Sequence, residues 1–357
     1  MRTVLVVLAT LATTAGACTP SPTERGYKGQ VRLGDGGAGD GGGAAACPVA
    51  PTTSRPARTA GCGKPPAQAL GQYVERPLTV ACSPANARDR LYYVRLPANY
   101  DANTAYRTVY LGPGCGPPQP QIPAQVKAYP MEGASGDDAI LIEMEAGLYN
   151  KAEYNNPSCS NEPDAGGGNL CHFCFDDGAA SLSGDSVEYG YFDRLHKQIE
   201  EDYCVDATRQ FYAGYSSGGW MAHQLGCQFP DVLRAQASVT GGLPPAIKDG
   251  LKSCVDRPIA AFLIHDFNDQ SNIYQGSVAA VNRLLALNGC TGGTTMDTAP
   301  AAPYTITGVP NTATFSCVQY TGCPAEYPIV FCTSQDQQHN AQTTAAVPGF
   351  WEFFSRL

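Results

Sequence analysis

Charge is scarce in this chain. Only 15% of its 357 residues are Asp, Glu, Lys or Arg, against about a quarter in an ordinary globular protein. Basic residues are the rarer sign, 23 against 32 acidic, and the formal net charge is -9. That balance excludes nucleic acid and anionic membrane surfaces as natural partners, because both are gripped by clustered Lys and Arg. Histidine is sparse too: with five in the whole chain, any general base comes from a short roster. The N-terminal apolar run, residues 4–11, is too short to cross a bilayer as a helix.

Cysteine, by contrast, is plentiful. Fifteen cysteines are hard to reconcile with a reducing cytosol. They are spread along the chain rather than paired with histidines in zinc-type clusters, and only Cys171-His172-Phe173-Cys174 resembles a metal clip. Disulfides formed in an oxidising compartment are the better reading. Setting Cys18 apart leaves 15 − 1 = 14 cysteines, enough for up to seven bridges. An acidic, glycine-rich chain of this kind suits an extracellular protein acting on neutral or polymeric substrates.

Residues 1–17 have the form of an export signal: Arg2, an apolar core, then small residues leading into Ala15-Gly16-Ala17-Cys18. Two outcomes stay open. The cysteine after Ala-Gly-Ala resembles a bacterial lipobox, which would place a lipid on Cys18, although Ala15 stands where leucine is usual. Ala-x-Ala also fits ordinary cleavage at the same bond. Residues 18–60 read as a disordered Gly/Pro-rich tether, since their composition cannot bury enough apolar surface to offset chain entropy. Residues 61–357 then form one catalytic domain.

Within that domain apolar runs at 90–97, 108–111, 139–143, 209–213, 233–239, 259–264 and 327–332 predict strands. The runs at 187–203, 278–287 and 350–357 predict helices. Strands alternating with helices imply βαβ units: an α/β fold with a mostly parallel central sheet and helices on both faces. The long polar segment 149–184 has the size of a functional loop.

The chemistry centres on Gly214-Tyr215-Ser216-Ser217-Gly218, a G-x-S-x-G turn between a predicted strand and a predicted helix. This is the context of a nucleophile elbow. On its own the pattern is equally a plain Gly/Ser turn; its flanks favour catalysis. A serine hydroxyl needs a base, and the base needs an orienting carboxylate. His339 follows the last predicted strand and is the best base. His172 lies in the long loop, His196 and His223 lie on helices, and His265 ends a strand where it would support the acid loop. For the acid, Asp269 and Asp266 compete after strand 259–264. Asp269 is favoured by its distance beyond the strand, Asp266 could instead cap a turn, and Asp336 is a remote third. The oxyanion hole would use the backbone N–H of Ser217 and, from the loop after strand 108–111, that of Cys115. No metal or cofactor is called for.

These residues carry a resemblance. Cys62-Gly63-Lys64-Pro65, Leu96-Pro97-Ala98-Asn99-Tyr100-Asp101, Gly114-Cys115-Gly116, Gly214 to Trp220 and the turn at 265–269 together resemble the secreted feruloyl esterase and polyhydroxybutyrate depolymerase group of α/β-hydrolases. The likeness runs from about Cys62 to the C-terminus. It implies the α/β-hydrolase fold and a serine esterase with Ser216 as nucleophile, Asp269 as acid and His339 as base. Three positions depart from the pattern: Pro113-Gly114 replaces a histidine-glycine, Asp266 stands where glycine is usual, and His339 has a Gln-rich surround.

The expected activity is hydrolysis of carboxylic esters by a monomer, first among them hydroxycinnamoyl esters on plant cell-wall polysaccharide. Trp220 and the tyrosines of 149–154 could stack on such an acyl group, although aromatics at such positions more often belong to the core. A polyhydroxybutyrate depolymerase is the second reading. An inactive, surface-tethered binding lipoprotein is the rival from another class.

Overall fold

The computed structural model describes residues 55–78, 90–114, 129–146, 187–243 and 257–357. All of them belong to one compact unit, Cys47–Leu357. The export signal, Cys18, Cys47, Cys115 and the loop 149–184 lie outside the described residues.

Among the described residues ten strands form one sheet: β1 (Tyr73–Leu78), β2 (Arg90–Arg95), β3 (Tyr106–Gly112), β4 (Ala139–Met144), β5 (Val205–Tyr215), β6 (Ala235–Val239), β7 (Ala260–Asp266), β8 (Ala301–Tyr304), β9 (Phe315–Tyr320) and β10 (Ile329–Ser334). Their spatial order is β1-β2-β4-β3-β5-β6-β7-β10-β9-β8. The run from β4 through β3, β5, β6 and β7 to β10 is parallel throughout. Antiparallel strands complete each edge. This is the α/β-hydrolase fold.

Five helices are described: α1 (Glu132–Ser135), α2 (Val187–Asp202), α3 (Ser217–Gln228), α4 (Tyr274–Leu287) and α5 (Thr343–Ser355). None of the helices among the described residues is long and apolar enough to cross a membrane. Strand residues alternate between two cores, as the period of two requires. Tyr110 and Tyr212 enter one core with Tyr191, Leu195 and Ile199 of α2, Met221 and Leu225 of α3 and Leu284 of α4. Val109, Leu111, Phe211 and Ala213 enter the other, against Phe350, Phe353 and Phe354 of α5. Parallel strands buried on both faces explain why 139–143 is a continuous apolar run.

Some elements differ from expectation. β1, β8 and β9 were not expected, and Pro77 and Pro303 obscure two of them; proline fits there because both strands are at the sheet's edges. Helix α5 begins seven residues earlier than predicted, with Pro348 inside it. The tether is expected to run to residue 60, but residues 55–60 are described and bonded to the domain. The Thr59 amide donates to the Val205 carbonyl at 3.1 Å, and Arg55 pairs with Glu200 at 2.6 Å. Hydrogen bonds to the α2–β5 corner hold this segment in place of an apolar core. Beside it the Cys62–Cys204 bridge closes a 142-residue separation. Two further bridges, Cys290–Cys323 and Cys317–Cys332, brace the far edge.

Glu200 gathers several partners at that corner. It accepts from Arg55, from Gln210 Nε2 at 2.7 Å and lies 3.4 Å from His196 Nδ1. Burial opposes its charge, but the His196 contact and the Arg55 charge win and bring its pKa from 4.5 down to about 2. A depressed carboxylate stabilises the fold fully above its unfolded pKa and loses that contribution as pH falls through the folded one. Glu200→Gln should therefore flatten the loss of stability between pH 4.5 and about 2, read as urea midpoints across that window. An acid profile unchanged from wild type would show that this network carries no linkage.

Candidate active site

Ser216 occupies the corner between β5 and α3 with φ 54 and ψ -114. A non-glycine residue in this region stores about 1–3 kcal/mol of backbone strain. Its surroundings enforce the angle: the Ser216 amide donates to the Val239 carbonyl at 3.0 Å, and the Trp220 amide to the Ser216 carbonyl at 3.0 Å. The flanking glycines are there for space. A Cβ on Gly214 would stand 2.1 Å from the Gly218 carbonyl oxygen, and one on Gly218 2.1 Å from that of Gly112. Strand and helix could not pass at this distance with any larger residue.

His339 lies beyond β10 and Asp269 beyond β7. The structure brings both to Ser216: His339 Nε2 is 2.9 Å from Ser216 Oγ, and His339 Nδ1 is 2.8 Å from Asp269 Oδ2. A carboxylate only accepts, so Nδ1 carries the hydrogen and Nε2 is left to accept from the serine hydroxyl. Burial disfavours the charge on Asp269. The polar N–H edge of His265, the His339 donor and the Asn272 amide outweigh it, and its carboxyl stays well below the ordinary range. This arrangement can deprotonate an alcohol and stabilise the resulting imidazolium.

The start of the loop after β3 is fastened to the elbow. Pro113 carbonyl accepts from the Gly218 amide at 3.1 Å and from Ser217 Oγ at 3.4 Å. Gly114 lies so close that a Cβ there would be 2.7 Å from the Tyr215 ring and 3.2 Å from Ser216 Cβ. Ser217 is the first residue of α3, and a helix's first amide has no acceptor within the helix. The next residue of the β3 loop, Cys115, is outside the described residues.

No family model matches the chain. Over 313 residues it is 25% identical to the probable feruloyl esterase C of Aspergillus oryzae, covering 85% of this chain and 93% of that protein. Over 319 residues it is 26% identical to feruloyl esterase D of Neurospora crassa, covering 86% and 93%. Among solved structures it is similar in fold to the acetyl xylan esterase from Aspergillus awamori, with a TM-score of 0.53, 13% identity, and 78% and 99% of the two chains covered. The chain is a carboxylic ester hydrolase. It resembles the feruloyl esterases.

Other residues of the esterase's site gave little or no sign in its sequence. Asp266 does not touch the imidazole. Its wholly buried carboxylate accepts from Ser334 Oγ at 2.7 Å, the Gln337 amide at 2.8 Å and the Asn268 amide at 2.8 Å. It thereby clasps the turn that bears Asp269 to the loop that bears His339. Tyr215, the first variable residue of the elbow motif, donates from its hydroxyl to the His339 carbonyl at 3.2 Å and lays its ring 5.4 Å from the imidazole. Asp336 is exposed. Trp220 is half-buried and gives its indole N–H to the Gly241 carbonyl at 3.1 Å. His223 is buried beside Gln236, and burial, Arg283 and His265 lower its pKa to about 3, so it packs as a neutral ring. The aspartate in the usual glycine place was the one visible sign of the clasp.

Asp266→Ala would leave a hydroxyl and two amides without their acceptor, at about 1–3 kcal/mol for each buried group so abandoned. A lower urea midpoint is expected, together with slower ester turnover, and Asp266→Asn should lose less because one carbonyl acceptor remains. Wild-type stability in the alanine variant would contradict the clasp.

Proposed function

We propose that this hydrolase is an exported serine esterase that releases hydroxycinnamic acids from plant cell-wall polysaccharide. The observation that carries the reading is the unbroken chain from Ser216 through His339 to Asp269 at 2.9 and 2.8 Å, held on a strained elbow. The acyl group is proposed from the feruloyl esterases that the chain resembles. Export through residues 1–17 is consistent with the disulfides.

The steps follow from the geometry. His339 Nε2 takes the hydroxyl proton as Ser216 Oγ adds to the ester carbonyl. The negative charge that develops on the carbonyl oxygen is received by the backbone N–H of Ser217, with the N–H of Cys115 assigned to the same role from the sequence alone. Asp269 holds the imidazole in register and stabilises its charged form. The tetrahedral intermediate collapses, the alkoxide leaves with the proton from Nε2, and an acyl-serine remains. Water then gives a proton to Nε2 and adds to the acyl carbon, and the second collapse returns that proton to Ser216 Oγ and frees the acid.

Methyl ferulate, p-nitrophenyl acetate and a polyhydroxybutyrate suspension, offered to wild type and to Ser216→Ala, test this reading. Ferulate release by wild type is expected, with a loss of at least about 10⁴-fold in the variant. Asp269→Asn should lose about 10³–10⁴-fold in kcat, because a neutral amide leaves the imidazole in the wrong tautomer. Clearing of the polyester without ferulate release would move the assignment to a depolymerase. Failure of a fluorophosphonate to label Ser216 would favour a binding scaffold.

A further inference from the structure

The carboxylate that faces His339 has a second imidazole behind it. His265 is the penultimate residue of β7 and is wholly buried. Its Nε2 lies 2.7 Å from the Asn272 carbonyl oxygen and 3.4 Å from Asp269 Oδ2, while Nδ1 lies 2.6 Å from Ser277 Oγ. A carbonyl only accepts, so Nε2 carries a hydrogen, and Nδ1 pairs with the Ser277 hydroxyl. That hydrogen is aimed at Asn272, which leaves Asp269 Oδ2 against the polar N–H edge of the ring.

Asn272 completes the circuit. Its amide donates to Asp269 Oδ1 at 3.0 Å, beside the Ser271 amide at 2.8 Å, and its side-chain Nδ2 donates to the Thr240 carbonyl at 2.7 Å. A chain of hydrogen bonds therefore runs from Ser277 on α4 through His265 and Asn272 to the acid. It supplies a restraint that Asp269 lacks by itself, since carboxylate rotation about the terminal bond is broad. A displacement of about 1 Å in such a group can cost about a hundredfold in rate.

We propose that His265 is a positioning residue for ester hydrolysis, fixing through Asn272 the carboxylate oxygen to which His339 donates. The proposal rests on the assignment of Ser216, His339 and Asp269 made above. The titratable groups facing His265 are Asp269 on its own turn, Tyr274 on α4, edge-on at 5.9 Å, and His223 on α3. The neighbouring β10 presents Thr333 at the paired position.

The test compares His265→Leu, His265→Gln and Ser277→Ala on methyl ferulate across pH, beside wild type and Ser216→Ala. His265→Leu should lower kcat about 10–100-fold with KM nearly unchanged. The acid limb of its kcat/KM profile should move to lower pH, because a loosened carboxylate stabilises the His339 imidazolium less. His265→Gln keeps a donor for the Asn272 carbonyl and a polar atom for the Ser277 hydroxyl. It should recover most of kcat and the wild-type limb. A leucine variant with wild-type kcat and limb, or a glutamine variant as impaired as the leucine one, would overturn the proposal. If the leucine variant does not fold, Ser277→Ala decides, with a several-fold loss in kcat and the same direction of limb shift expected and no change overturning. Wild type without turnover dependent on Ser216 sinks the assignment of function, whereas turnover that depends on Ser216 but not on His265 sinks this inference alone.

Discussion

Three stretches of backbone meet beneath Ser216 with no room for a single added carbon. The end of β3 at Gly112, the end of β5 at Gly214 and the first turn of α3 at Gly218 approach so closely that a Cβ on either Gly214 or Gly218 would lie 2.1 Å from a carbonyl oxygen. This contact turns the chain sharply enough to hold Ser216 at φ 54. The same closeness lets the Gly218 amide and the Ser217 hydroxyl reach the Pro113 carbonyl. Ser216, the helix N-terminus and the start of the β3 loop are thus parts of one constraint. Strain at the serine persists because neighbouring hydrogen bonds overdetermine it.

The partners of Ser216 arrive by register rather than by chance proximity. β7 and β10 are adjacent and parallel, with His265 opposite Thr333 and Asp266 opposite Ser334. The turns that follow these two strands must emerge side by side, one carrying Asp269 and the other His339. Backbone and side chain then fasten them: the Phe267 amide donates to the Ser334 carbonyl at 2.7 Å, and Asn268 Nδ2 to the Gln335 carbonyl at 2.6 Å. Asp266 adds its carboxylate to the same seam. A charged group this deeply buried is tolerable because every partner it meets is a donor.

This division also explains what was legible in the amino-acid sequence. The elbow is encoded locally, by glycines at fixed offsets between a strand run and a helix run, and the parallel strands are encoded by apolar content. Both could be read without a fold. The positions of Asp269 and His339 needed only the order of strand ends. The clasp at Asp266, the hydroxyl of Tyr215 and the amide of Asn272 depend on contacts between segments up to 124 residues apart, and no local pattern announces them. Asp266 shows the limit well. As a departure from an expected glycine it raised a choice between two acids, and only the register of β7 against β10 shows it turned toward Ser334 instead of the imidazole. The edge strands were hidden for a different reason: β8 (AAPY) has four residues including Pro303 and lies half in solvent, so neither alternation nor burial marks it.

Those edge strands bear on the chemistry. If the sheet ended at β10, the strand that leads to His339 would present one row of unpaired backbone groups to solvent and would fray at its end. Instead β9 pairs along its outer side through Ser334, the residue that Asp266 also holds. Cys317 and Cys332 stand opposite each other in that pairing and are joined covalently. The Gln335 amide adds one more bond, to the Thr314 carbonyl at 3.0 Å. His339 therefore leaves the sheet from a strand restrained on both sides, two residues after the last fixed amide, that of Gln337 on the Asp266 carboxylate. For an imidazole that must stay within hydrogen-bond reach of a serine on one side and a carboxylate on the other, that short tether limits the error the loop can introduce. It gives the otherwise plain antiparallel hairpin a physical part in the alignment of the site.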